Sequence, residues 1–151
     1  MKNETFSSVV YPIAELREQF EIAVDVKDNA LNKAFFEADM LDLKPQIGMG
    51  YDVLPTEYKN GSNDVVGGTT ILCYYAFARY SQAADQSSTS TGLKLQTYGG
   101  SVVLPDTSKT KRAEAERAKA DFMVEGLIAW LRQDGLLACP KIRNTRISLI
   151  K

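Results

Sequence analysis

At 151 residues the chain has room for one domain and one core, and its 44% hydrophobic and 25% charged content are those of an ordinary globular protein. Eighteen basic against 19 acidic residues leave a formal net charge of −1, so no bulk field draws in nucleic acid or an anionic membrane. The absence of histidine removes the commonest general base, the usual metal ligand and every Ser-His or Cys-His pair, leaving carboxylate, lysine or tyrosine for any catalysis.

Residues 1–12 are polar, then β-branched at Val9-Val10, and stop at Pro12; they read as an extended arm. The arm has no apolar core of signal-peptide length, and no window approaches the roughly 18 apolar residues of a membrane span. The expectation is a chain made and used in the cytosol, or inside something assembled there. From Ile13, the spacing of Ile13, Leu16 and Phe20 predicts a short helix. Asp28 is the expected N-cap of the next helix, over 28–43, with Leu31, Ala34, Phe35, Ala38 and Leu41 on one buried face. Glu37, Asp39 and Asp42 on that helix suggest a metal or acid/base cluster at first sight. Their spacing follows the solvent side, and a solvated face is the expectation. Pro45 disfavours helix at Lys44.

Residues 51–63 read as a connector with one helical turn at "PTEY". Asn63 or Asp64 is expected to cap a third helix whose stable part spans 69–85, after Gly67-Gly68. Ile71, Tyr74, Tyr75 and Ala78 share one face of it, and Leu72, Ala76, Tyr80 and Ala83 the adjacent one, so this helix is expected to be central. Cys73 lies in it, far from Cys139 and without a CxxC partner. Both cysteines read as small buried hydrophobes of a reducing compartment.

"QSSTST" reads as a polar loop. Beyond it, Leu93, Leu95 and Thr97 alternate with Lys94 and Gln96, and Gly99-Gly100 precedes Ser101-Val102-Val103-Leu104. This predicts a β-hairpin over 93–104 with the glycines at its turn. The glycines do not hold phosphate: neither dinucleotide nor P-loop spacing is present, and no helix begins directly after them. The longest helix is expected over 107–133, capped by Asp106, Thr107 or Ser108. Its first half is charged, and its second buries Ala120, Met123, Val124, Leu127, Leu131 and Trp130. Lys109, Lys111 and Arg112 oppose the helix dipole unless a partner supplies negative charge. Gly135 ends the helix. After Pro140, "KIRNTRISLI" reads as a basic strand or tail.

The fold class is therefore mainly α: a bundle of three to four helices with a small inserted β-hairpin and extended termini. The divisions are an arm at 1–12, one helical domain at 13–140 and a basic tail at 141–151. Leu31, Phe35, Leu41, Leu72, Tyr75, Met123, Leu127 and Leu131 are expected to form one core. Neither a cofactor nor a metal is expected. The candidate partner contacts are Lys94, Tyr98, Lys109, Lys111, Arg112, Lys141, Arg143 and Arg146.

Four stretches carry a resemblance: "LNKAFFEADMLDLKPQIG", "ILCYYAFARYSQAA", "STSTGLKLQTYGGSVVLP" and "ADFMVEGLIAWLRQDG" before "CP". In order and type they resemble the small head–tail connector (neck, or head-completion) proteins of tailed phages and prophages of Bacteroides-type bacteria. The resemblance spans about 13–140 and has no signature motif. It implies a structural subunit of the virion, assembled in the bacterial host cytoplasm as a ring on the portal, with portal and tail or neck proteins as partners. It implies no catalytic residue, and DNA at most passes through the ring. The alternative from the residues is a small all-α nucleic-acid-binding or regulatory module using the basic tail, although no helix-turn-helix with a basic recognition helix is evident.

Overall fold

A computed structural model describes residues 9–83, 87–89, 92–94 and 106–137 of the chain, and these are mainly helical. Helix α1 (Ile13–Phe20) buries Leu16 completely, with Ile13 and Phe20 packed at the edge of the core. It closes on Glu21 in the left-handed region (φ 51°). Arg17 secures the turn that follows: its guanidinium donates to the carbonyls of Ala23 (2.7 Å) and Val26 (2.5 Å) and reaches the Asp28 carboxylate at 2.8 Å. Asp28 is consequently the first residue of α2 (Asp28–Ala38), not its cap; Lys27 takes the cap position in an extended conformation.

The helix does not break at Pro45. A five-residue π-turn, Asp39–Leu43, follows α2 and leads directly into α3 (Lys44–Ile47). The Lys44 N–H donates to the Asp39 carbonyl, five residues back, and the wider turn leads the chain into Pro45, which has no N–H to donate. The extra residue also shifts the phase of the buried face. Leu43 and Asp39 turn inward, and Leu41, expected in the core, is left 61% exposed.

After α4 (Thr56–Asn60), at the expected helical turn, residues 61–67 form a loop closed glycine on glycine. Gly61 sits at φ 80° and bridges Val66, and a Cβ on Gly67 would lie 2.5 Å from the Gly61 nitrogen. Only residues without side chains permit that approach. Within the loop Ser62 accepts the Val65 N–H at 3.2 Å. Asn63 and Asp64 remain inside the loop, so neither caps α5, which starts at Gly68 (Gly68–Ala83).

Helix α5 is the central element. Ile71, Leu72, Cys73, Tyr75, Ala76, Phe77 and Ala78 are all buried, with α2 on one side and α6 on another. Phe20 of α1 stacks on Phe77 (centroids 4.1 Å apart) and meets Tyr74 edge-on (5.1 Å). Ser87–Thr89 then pairs antiparallel with Gly92–Lys94, Ser87 opposite Lys94. This short pairing lies largely where the sequence reads as a polar loop. The hairpin expected over 93–104 is not seen; residues 95–105 lie outside the described residues.

Helix α6 (Asp106–Gln133) is about 42 Å long at 1.5 Å per residue. Ala113, Ala120, Val124, Leu127 and Leu131 are buried, so the core stripe continues into the charged half. Gly135 (φ 77°) ends the helix. Its N–H donates to the Arg132 carbonyl and that of Leu136 to the Leu131 carbonyl, the paired bonds of a Schellman close.

Candidate functional site

A part-buried polar seam joins four helical segments: the π-turn, α3, α5 and α6. On α5, Tyr75 and Arg79 stand one turn apart. The Arg79 guanidinium grips Asp42 of the π-turn with two bonds (2.6 and 3.0 Å), and the two side chains are 19% and 10% exposed. This fork-on-carboxylate geometry is the strongest side-chain pairing a protein uses. It holds Arg79 above the usual arginine range, with the Asp42 hydrogen bond as the main cause. Beside it, the Tyr75 hydroxyl accepts from the Gln46 amide at 2.7 Å and donates to the Asp121 carboxylate of α6 at 2.5 Å. Gln46 also donates to the Asp42 carbonyl at 2.9 Å. Burial, then the Asp121 bond, raises the Tyr75 phenol, so it stays protonated at neutral pH.

A second node surrounds Asp39, which is 3% exposed. Its carboxylate accepts the Tyr51 N–H at 2.9 Å and the Tyr11 hydroxyl at 3.2 Å. Burial raises Asp39 above the ordinary carboxylate value, against the two bonds that pull it down. Tyr11 stacks flat on Phe35 (5.5 Å, 4°), which anchors the end of the N-terminal arm. The Tyr51 hydroxyl bonds Thr69 at 2.8 Å, and the Lys59 ammonium lies 4.6 Å from the Tyr51 ring centre. Asp39 and Asp42 are therefore not on a solvated face. Asp42 continues the stripe of Leu31, Phe35 and Ala38, Asp39 turns inward within the π-turn, and each tethers a different neighbour.

These arrangements tie helix to helix. Among the described residues no three His, Cys, Asp or Glu side chains converge as metal ligands. The buried Cys73 thiol is pushed up to about 12, by burial first, so it is a thiol and not a nucleophilic thiolate at neutral pH.

The sequence-derived contacts are not assembled into one site. Lys94 falls in the second short strand and Lys109 in the first turn of α6, while Tyr98, Lys141, Arg143 and Arg146 lie outside the described residues. Lys111 and Arg112 are exposed neighbours on α6, and the Arg112 guanidinium sits 5.3 Å from the Phe77 ring centre. Arg112 is thereby partly committed to its own fold.

Two surface depressions complete the description. One, of about 180 Å³, lies between α2 and α5 and is lined by Ala30, Lys33, Ala34, Glu37, Arg79, Tyr80 and Ala83. The other, of about 460 Å³, is almost wholly apolar and lies along α6 on the side next to α5. Ala115, Ala118, Lys119, Phe122 and Met123 of α6 and Tyr74 of α5 line it. Phe122 is 79% exposed there, a large aromatic facing water on an otherwise charged helix. The sequence reading missed Phe122 and Arg79, and it assigned Asp39 and Asp42 to a solvated face. Phe122 and Arg79 had a visible signal, each being a single misfit in its surroundings: an aromatic in a charged run and a cation in an apolar one.

No protein-family model, curated protein or solved structure matches the chain significantly.

Proposed function

We propose that the chain is a structural subunit that works by contact with other proteins, and specifically a head–tail connector of a tailed phage that forms a ring on the portal. The observation that carries the contact reading is Phe122, 79% exposed beside an apolar depression on α6. Water solvates such a surface poorly, and a concentrated apolar patch rimmed by charge suits a protein partner. The buried and part-buried polar groups support the same reading, because Asp39, Asp42, Tyr75 and Arg79 join elements of the fold to one another. The phage assignment rests on the resemblance of the four stretches. In this reading a bundle of three to four helices is the wall of the ring. The insert between α5 and α6, with the two chain ends, reaches neighbouring subunits and the portal. Lys94, Tyr98, Lys109, Lys111, Arg112, Lys141, Arg143 and Arg146 are the proposed partner contacts.

The test is co-expression with the portal protein encoded beside it, followed by sedimentation and electron microscopy. A stable co-sedimenting ring supports the assignment, and removal of residues 141–151 is expected to weaken that complex while leaving the subunit folded. Specific binding to a duplex DNA site, with no affinity for any virion protein, overturns it in favour of the regulatory module.

A further inference from the structure

We propose that the outer face of α6 pairs antiparallel with the same face of a second copy of this chain, across a two-fold axis close to Lys119. The inference rests on the contact reading above and goes beyond it by naming the occupant. Helical periodicity places the face. Ala113, Ala120, Val124, Leu127 and Leu131 point to the core, and at about 100° per residue Ala115, Ala118 and Phe122 lie on the opposite side. Ala115 and Ala118 are exposed, as are Lys111 and Glu125, which flank them in line along the helix.

Self-pairing needs a knob and a hole on one patch, because a two-fold contact uses the same surface twice. Phe122 is the knob. The hole is the depression of about 460 Å³ lined by Ala115, Ala118, Lys119, Phe122, Met123 and Tyr74, with room for an aromatic ring. Small residues at 115 and 118 let the second helix approach, and an antiparallel copy centred near Lys119 lays its Phe122 over them. The charges agree with this direction. On the same flank Lys111 lies toward the start of the helix and Glu125 toward its end, so antiparallel pairing brings each Lys111 near the Glu125 of the other copy. A parallel pairing sets like on like. Lys119, nearest the axis, has its charge met by Glu116 at 3.1 Å. A foreign partner requires neither the knob and hole on one patch nor the mutual charge match; a second copy requires both.

The experiment measures the size of the full chain by sedimentation velocity over a range of concentrations. The wild type is expected to dimerise as concentration rises. Phe122→Asp should weaken association at least about tenfold, the range of an interface anchor, with an unchanged far-UV circular dichroism spectrum. Lys111→Glu alone should weaken it, and Lys111→Glu with Glu125→Lys should restore it, a rescue that loss of folding does not imitate. In a Cys139→Ser background, Ala118→Cys should give a disulfide-linked dimer, since Cys73 is buried. A wild type that stays monomeric at every concentration overturns the inference, as does a dimer indifferent to Phe122→Asp. A monomer that loses portal binding on Phe122→Asp assigns the face to another protein, overturning the second copy and leaving the connector reading intact. The expected dimer without any portal binding upholds the pairing and overturns the connector.

Discussion

The Arg79–Asp42 pair offers the most decisive test of the interior. Replacing Asp42 with alanine leaves a guanidinium 19% exposed, without its carboxylate, on a helix that is otherwise apolar. Breaking a buried pair by removing one partner costs about 3–5 kcal/mol, because the remaining charge is uncompensated. Arg79 also lines the open depression between α2 and α5, where water reaches it, so the expected cost falls below that range, at about 2–3 kcal/mol. Arg79→Ala should cost a similar amount. The apolar pair Asp42→Leu with Arg79→Met should recover most of the loss, since it leaves no buried charge behind. Urea titrations followed by far-UV circular dichroism, with Asp42→Ala, Arg79→Ala and their combination as a cycle, measure the coupling. Because both side chains are largely withdrawn from solvent, the coupling should change little between low and high salt, unlike an exposed pair. A single-substitution cost below about 0.5 kcal/mol, the level of an ordinary surface change, would refute the placement of this pair in the interior.

The remaining expectations concern the core, pH and one glycine. Phe35→Ala and Leu127→Ala should each cost about 2–5 kcal/mol in denaturant melts, whereas Leu41→Ala should stay within about 0.5 kcal/mol because the π-turn points it outward. Tyr11, Tyr51 and Tyr75 are held above their ordinary value of 10.0, with burial the first cause. Cys73 is raised from 9.0 to about 12. Raised values mean that the folded state keeps its protons while the unfolded chain releases them. Their contribution is complete below the unfolded values, and melting temperature should fall from pH 9.0 upward, more steeply past 10.0. Asp39 is also raised, so its ionised form is the one the fold disfavours. Its contribution should diminish as pH rises from 3.8 through the folded value, and Asp39→Asn should flatten that part of the acid-side stability curve. Gly126 is an exposed helical position where a Cβ meets nothing nearer than Val65 at 3.9 Å, so Gly126→Ala should stabilise by about 0.5–1 kcal/mol. A lower melting temperature for that variant would refute the open space assigned to it.

Much of the helical layout was legible because period and punctuation agree. Ile13, Leu16 and Phe20 mark α1, and "PTEY" falls on α4. The wide apolar arc of Ile71 to Ala83 marks α5 as central, and Gly135 stops α6. The failures cluster where one residue of phase decides the outcome. A regular 3.6-residue helix from Asp28 puts Leu41 and Asp39 at opposite edges of the buried face and Leu43 on the wet side, while Asp42, eleven residues after Leu31, already falls on the buried stripe. The π-turn adds a residue that brings Leu43 and Asp39 in and leaves Leu41 out, with Pro45 two residues after it. Periodicity over "ADMLDLKP" cannot register that step, since the signal averages over several turns. The capping errors have the same local character. Asp28 looks like a cap but is claimed by Arg17, a residue 11 positions earlier that no local rule couples to it. Asn63 and Asp64 look like caps but lie within a loop that closes on Gly61 and Gly67.

The seam also fixes the direction in which the outer face of α6 points. Helix α5 is apolar around most of its circumference, and apolar contact alone is non-directional, so it leaves sliding and rotation of neighbouring helices weakly opposed. Tyr75 and Arg79 supply direction at two successive turns. Arg79 fixes the π-turn through Asp42, while Tyr75 fixes α3 through Gln46 and α6 through Asp121. Asp121 immediately precedes Phe122 in the sequence. The bond that sets the rotation of α6 against α5 therefore also sets the direction in which Phe122 faces, away from the core and into solvent. A helix fixed in rotation at that point presents the same knob and the same depression in every molecule. Repeated contact between identical subunits requires that constancy.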